Sequence, residues 1–469
     1  MLNEKLAQEI INLSLETGCD FAELYYEDTF NQMISVENGL VDNISTSIVS
    51  GVGLRLLKDL KCIYGYTNDV SKKGLEKLAL NLRASFDDNR KKEKIHNFSK
   101  VFVNNFHKKC TSLLAINKSE IVNLLKKANQ IVRDSSDKIV KCNTGFLIST
   151  TKTFIYNSNA KTFNNHREYG RFFISSVASD NGKIETRFDG PGSQGGWEYF
   201  TKQLNIDDLA KEHAKKLILM LNARECPSGK FPVIIGNGWG GVIFHEACGH
   251  QLEASSVSKG LSVFSGMLNK KIANDCVTAY DDGTIPNEWG SNLIDDEGKE
   301  THKNLLIENG ILKGYLIDDF NGRRMNMPGN GACRRQSYKF TPTSRMSNTY
   351  IAPGKYTPEE IIKNTKLGLY AVSFNGGSVN PATGEFNFGC SEAYIVKNGK
   401  ILEPVRGATL VGKATEILKH IDMIGNDLAF GQGNCGAASG SIPVDVGQPT
   451  IRVDEITVGG RGGSIDEYK

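Results

Sequence analysis

His245-Glu246-Ala-Cys-Gly-His250 places two imidazoles and a carboxylate within six residues of this 469-residue chain. Zinc hydrolases use that set: the histidines hold the metal, and the glutamate takes the proton of the attacking water. The spacing adds a condition. Imidazoles four residues apart lie about 40° apart around a helix, but five apart they lie about 140° apart and share no face. A π-turn inserts one residue and restores the facing, and such turns favour functional sites. Gly249, directly before His250, makes that distortion easy. Without it, the segment is a core helix whose two histidines point different ways.

A catalytic zinc also needs a third protein ligand and an open position. Glu253, three residues after His250, is the local candidate. Cys390, in Phe388-Gly389-Cys390-Ser391, reads as a core residue in or beside a strand. Cys435 is surrounded by Gly431, Gly433 and Gly436, a flexible backbone that lets a loop approach a metal. Residue types alone leave these three open. Cys248 shares the histidine helix but faces elsewhere. Arg334 and Arg335 can hold a carboxylate or an oxyanion, or pair with the acidic 281–297 region. Asp295, Asp296 and Glu297, adjacent in a turn, read as solvated or capping groups rather than a hard-cation site. Trp197 and Trp239, each beside glycine, read as packing residues. The same donor set also suits a metal-dependent amidase, or a structural metal in a non-enzymatic subunit. Glu246 and an open coordination position favour the hydrolase.

The elements that must position these residues are mixed. A helical stripe at Leu2, Leu6, Ile10 and Leu13 ends near Gly18. Hairpins are expected at Asn38-Gly39 and around 58–61. A helix follows over 75–82, and the charge-dense stretch 87–94 reads as its solvated end and a linker. Ser119 caps a helix over 121–131. Strands are expected at 138–150, 153–157 and 171–178, and a helix at 206–222. Cys226-Pro227-Ser228-Gly229 punctuates the chain and sets a boundary between domains 1–225 and 226–469. Beyond it glycine is dense, Asn309-Gly310 and Asn398-Gly399 signal hairpins, and helices are expected only at 241–255 and 358–368. The fold class is therefore α+β: an N-terminal mixed α/β domain, then a mostly antiparallel β domain that carries the metal-site helix.

Composition narrows the partners. Lys+Arg total 56 against 53 Asp+Glu, so the net charge of +3 gives no argument for nucleic acid or an anionic membrane. No run approaches the roughly 18 apolar residues of a spanning helix. The N-terminal stretch lacks a signal-peptide apolar core, so a cytoplasmic location is expected, with the 10 cysteines as free thiols.

The chain resembles the TldD/PmbA metallopeptidases, on the TldD side. The motifs that carry the resemblance are HEACGH at 245–250, DDGTIPNEWGS at 281–291, DDEG at 295–298 and RRQSY at 334–338. SRMSNTY at 344–350, GGSVNPATGEF at 376–386, and NCG followed by SIPVDVGQPT at 441–450 extend it. The resemblance implies a two-domain α+β fold with its metal site in the C-terminal part. It implies zinc on His245, His250 and the late cysteine, Cys435, with Glu246 as the catalytic carboxylate. The substrates implied are peptides and unfolded polypeptides, and the assembly is a homodimer or a heterodimer with a PmbA-type subunit. The stretch GAASGS after Cys435 departs from the family pattern and bears on substrate preference and partner choice.

Overall fold

The computed structural model describes residues 2–16, 18–86, 94–380 and 383–468. The charged stretch 87–94, Lys94 apart, lies outside the described residues.

Helix α1 (Glu4–Leu15) is capped by Asn3 and buries Ala7, Ile10, Ile11 and Leu15. Three long strands follow: β1 (Phe21–Glu37), β2 (Leu40–Lys58) and β3 (Lys61–Thr67). Their turns fall where they are expected and carry the left-handed residues Asn38, of the Asn-Gly dipeptide, and Asp59. Helix α2 (Lys72–Arg83) packs beside α1 on Leu24, Leu54 and Leu56. Helix α3 (Lys118–Asp134) is capped by Asn117 rather than Ser119: the Asn117 side chain accepts the Ser119 N–H.

The three strand segments expected between 138 and 178 are two unbroken strands, β4 (Ile139–Asn157) and β5 (Lys161–Asp180). Thr151 and Lys152, read as a break, pair in register with Arg167 and His166 and simply continue the strand. Helix α4 (Ile206–Asn222) lies where its periodicity puts it and packs with α3 on Phe146 and Phe172. The first sheet runs β3-β2-β1-β4-β5, with short strands added beyond β5.

The second sheet contains Gly229–Ile235, Leu367–Val379, Glu385–Lys397, Thr409–Lys413 and Ile451–Gly459. Leu367–Val379 pairs with both Gly229–Ile235 and Glu385–Lys397, which closes this sheet on itself around the largest apolar core. Arg224–Glu225, just before the expected boundary, pairs with Val405–Arg406 and so joins this second sheet. A six-stranded third sheet ends in β6 (Ala429–Ala437) and β7 (Gly440–Gln448), with β6 at its edge. Pairing is mostly antiparallel. Two helices absent from the sequence reading, Asp319–Met325 and Ala414–His420, also form. They are seven residues each, too short for a periodic stripe to announce them.

The first sheet is buried on both faces along β1, although the first half of β2 stays exposed. Leu24 and Tyr26 point to the helices, while Glu23, Tyr25 and Glu27 point to the C-terminal half, which explains the nearly continuous burial of β1. Charged groups fill that second face. Arg55 holds Glu23 at 2.8 Å and Glu297 at 2.6 Å, and Arg335 holds Glu23 at 2.7 Å. Arg167 reaches Asp296 at 3.4 Å. Asp295, Asp296 and Glu297 are therefore buried, not solvated. Capping does hold for Asp295, which accepts the N–H groups of Glu297 and Lys299. Arg335 does reach the acidic region through the Asp296 backbone, but its ion pair is with Glu23. These partners are 32 to 312 residues apart in the chain and are buried, so removing one leaves an uncompensated buried charge at a cost of about 3–5 kcal/mol.

Candidate metal centre

The helix expected over 241–255 is a chain of short turns. A 3-10 turn at Gly238–Gly241 leads into an α-helical turn, Val242–Phe244. A π-turn at His245–Gly249 and a 3-10 turn at His250–Leu252 follow. The His250 N–H donates to the His245 carbonyl, five residues back. That wider turn swings His250 round beside His245, and their ring centroids lie 5.1 Å apart at 84°. Gly249 has ordinary right-handed helical angles, so its freedom is not what the turn uses. Close approach is the reason instead: a Cβ there would lie 2.1 Å from the Met346 sulfur.

Cys435 comes from β6, a paired strand rather than a loop, in register with Ile442 of β7. The neighbouring glycines serve packing. A Cβ on Gly431 would lie 2.7 Å from the Trp239 indole, and one on Gly433 2.8 Å. Trp239 itself is fixed by its indole N–H to the Phe374 carbonyl at 3.0 Å. The hairpin thus lies flat on the turn that leads into the histidines.

One donor atom each from His245, His250 and Cys435 lies within 4.8 Å of the others. Cys435 Sγ is 3.1 Å from His250 Nε2. Donors on one tetrahedral zinc lie roughly 3.3–3.6 Å apart, given bonds of about 2.0–2.1 Å to nitrogen and 2.3 Å to sulfur. His245 and Cys435 are 2% and 5% exposed, and His245 Nδ1 is buried with no hydrogen-bond partner. Burial opposes ionisation of the Cys435 thiol, but the two imidazoles, His245 foremost, outweigh it and bring the thiol down to about 4. Burial likewise opposes charge on His250, yet Glu253 and Cys435 push its imidazole well above the usual range. The imidazoles thus favour the thiolate, the form that binds metal. Two nitrogens and one soft anionic sulfur fit a borderline-soft divalent cation.

The remaining candidates separate. Glu253 Oε1 is 3.2 Å from His250 Nδ1, so it orients the ring and leaves Nε2 for the metal side. Cys390 is buried in its strand with its thiol pushed up by burial, and Cys248 is the same within the helix core. Glu246 Oε2 lies 3.8 Å from His250 Nε2, and its side chain keeps 24% exposure, open to water. Trp197 packs against Phe146 and Phe200. Arg334 and Arg335 both line a cavity behind β6 and β7.

Sequence reasoning missed Arg345. It is fully buried, 3.8 Å from Glu253, and its guanidinium donates to the Cys435 carbonyl, Ser439 Oγ and the Gly440 carbonyl. It ties the carboxylate behind one ligand to the strand of another, and a single arginine in a Ser-Arg-Met stretch carries no signal of that. Glu253→Gln is expected to weaken metal binding about 10–100-fold while the ligand set stays intact. Competition with a chromophoric chelator reads this; complete loss of metal would make Glu253 a ligand.

Comparison with known proteins agrees with this architecture. The profile described as PmbA/TldA metallopeptidase C-terminal domain matches residues 228–460. Those for domain 1 and the central domain match 22–85 and 112–221. The chain is 37% identical over 454 residues to a "Metalloprotease TldD homolog" of Buchnera aphidicola subsp. Schizaphis graminum, covering 94% of this chain and 93% of that one. A protein of the same description from Haemophilus influenzae is 33% identical, covering 98% and 97%. The crystal structure of TldE from Thermococcus kodakarensis superposes with a TM-score of 0.78 at 18% identity, over 97% of this chain and all of that one, and so shares its fold. With three consecutive profiles matched in order and relatives aligned nearly end to end, the chain belongs to the PmbA/TldD metallopeptidase family.

Proposed function

We propose that the chain is a zinc-dependent peptidase of the cytoplasm that hydrolyses peptides or unfolded polypeptides, in peptide maturation or turnover. The observation that carries this is the convergence of His245, His250 and Cys435 beside a carboxylate, Glu246, that the donor set does not consume. In this reading residues 226–469 form the metallopeptidase domain, and 1–225 is a domain that covers it.

His245, His250 and Cys435 would hold the ion; two neutral imidazoles and one thiolate leave a zinc with a net charge of +1. Zinc bound there would supply Lewis acidity, which acidifies water and polarises a peptide carbonyl. Glu246 receives the proton of the attacking water and returns it to the leaving amine. Glu253 holds the His250 ring through Nδ1, and Arg345 fixes both Glu253 and the Cys435 backbone. The protein acts as a dimer, with itself or with a PmbA-type chain.

The test uses purified protein, alone and mixed with a PmbA-type partner. We expect hydrolysis of an unfolded polypeptide that a chelator abolishes and zinc restores, in a species of about twice the 51.5 kDa chain mass. An intact substrate in every mixture, at full metal content, rejects the peptidase. An active species of single-chain mass rejects the dimer.

A further inference from the structure

Behind the hairpin that carries Cys435 is a cavity of about 750 Å³. One wall is the first sheet, through Arg167, Tyr169 and Arg171 of β5; the opposite wall includes Arg334, Asn434 and Ile442. Ile442 pairs with Cys435, so a single hairpin separates the cavity from the metal ligands.

The cavity's charges do not balance. Arg167 pairs with Asp296 and Arg335 with Glu23, so both are satisfied within the fold. Neither Arg334 nor Arg171 has a carboxylate within ion-pair distance among the described residues, although the charges of Asp281 and Asp296 reach Arg334. Arg334 is 2% exposed; its Nη1 donates to the Met346 carbonyl at 2.9 Å, and its Nε is buried without a partner. Among the described residues Arg171 donates only to the carbonyls of Gly190 and Gln432, at 3.0 and 3.1 Å. Its guanidinium lies 5.8 Å from the Phe188 ring and 5.6 Å from that of Trp289. The acid that acts on Arg171 is Asp445, whose carboxyl burial and Glu288 push well above its usual range. Glu27, the lining carboxylate, accepts from the Thr29 hydroxyl and the Tyr338 N–H, and burial raises it as well. A buried guanidinium without a directly paired anion is costly, and a planar carboxylate is its best-matched partner. The surrounding rings, Tyr169, Phe173, Phe188 and Trp289, suit an apolar body attached to that carboxylate.

We infer that this cavity binds the carboxylate of a peptide, held by Arg334 and Arg171, with the adjoining side chain set against the aromatic wall. Its role as a subsite of the metal centre rests on the peptidase reading; the binding itself does not. Two sources share the chemistry: a C-terminal α-carboxylate and the side chain of Asp or Glu.

Calorimetry on the full chain tests it with N-acetylphenylalanine against its amide, and with amidated peptides that carry Glu or Gln internally. At least one carboxylate form is expected to bind about tenfold or more tightly than its neutral counterpart. Arg171→Gln should remove the preference and Arg171→Lys restore part of it. Arg171 is only part-buried, so it keeps the test available if Arg334→Gln fails to fold. Preference for the free acid alone assigns the C-terminal end, and preference for the internal Glu alone assigns an acidic residue. Equal affinity for acid and neutral forms in both pairs overturns the inference, as does a preference that survives Arg171→Gln. In hydrolysis, Arg171→Gln should raise KM for the preferred peptide with kcat little changed. A parent chain that keeps the carboxylate preference but cleaves no peptide removes the peptidase reading and leaves the binding site standing.

Discussion

Glu246→Gln is expected to keep the metal and to slow peptide hydrolysis about 10²–10⁴-fold, the usual contribution of a positioned proton acceptor. Glutamine has nearly the shape of glutamate and cannot take a proton. Glu246 is next to a ligand in sequence, but the donor cluster closes without it. Its carboxylate lies 3.8 Å from His250 Nε2 and remains open to water, where an acceptor must be. The check is metal content per chain beside kcat on one peptide. Loss of metal in this variant would move Glu246 into the ligand set and leave the reaction without its base.

The second large effect is at Cys435. Cys435→Ser is expected to release the metal on exhaustive dialysis, a larger loss than the roughly 10–100-fold that follows from removing a supporting residue such as Glu253. The two imidazoles favour the thiolate, and an anionic sulfur binds zinc at about 2.3 Å. A serine hydroxyl stays protonated and leaves two imidazoles, too few for a three-ligand site. The side chain packs with Ile442 and Val444 in a small apolar cluster, and serine fits that volume, so the strand should still form. Metal analysis of Cys435→Ser beside Cys390→Ser decides it. Full metal in Cys435→Ser rejects the thiolate ligand; loss from Cys390→Ser would contradict the burial of that residue in its strand.

The helices α1 and α4 and the Asn-Gly hairpins were legible because each is announced locally, by a stripe at 3.6 spacing or by a residue with positive φ. The five-residue gap between the histidines was legible too, since an α-helix cannot aim both at one point, and the π-turn answers that constraint. The reason for Gly249 was not: it makes room for Met346, nearly a hundred residues away in the chain. The same holds for the glycines before Cys435, which read as flexibility and turned out to be a bed for Trp239. Asp295 to Glu297 looked solvated because adjacent acids usually are. Their partners, Arg55 and Arg167, lie on strands of the first sheet, and no local pattern links them. Local chemistry is written locally; a residue whose role is to meet a distant one carries no such mark.

The separation of the donors along the chain has a consequence for the newly made protein. His250 and Cys435 are 185 residues apart. At about 5–20 residues per second, the ribosome delivers the cysteine roughly 10–40 s after the second histidine. Throughout that interval the growing polypeptide carries two of the three donors, and two imidazoles are too few for a three-ligand site. The donor set is complete only once the late hairpin has paired and packed against Trp239. A chain broken off before the late hairpin thus carries an incomplete donor set, whatever the state of its histidine turn.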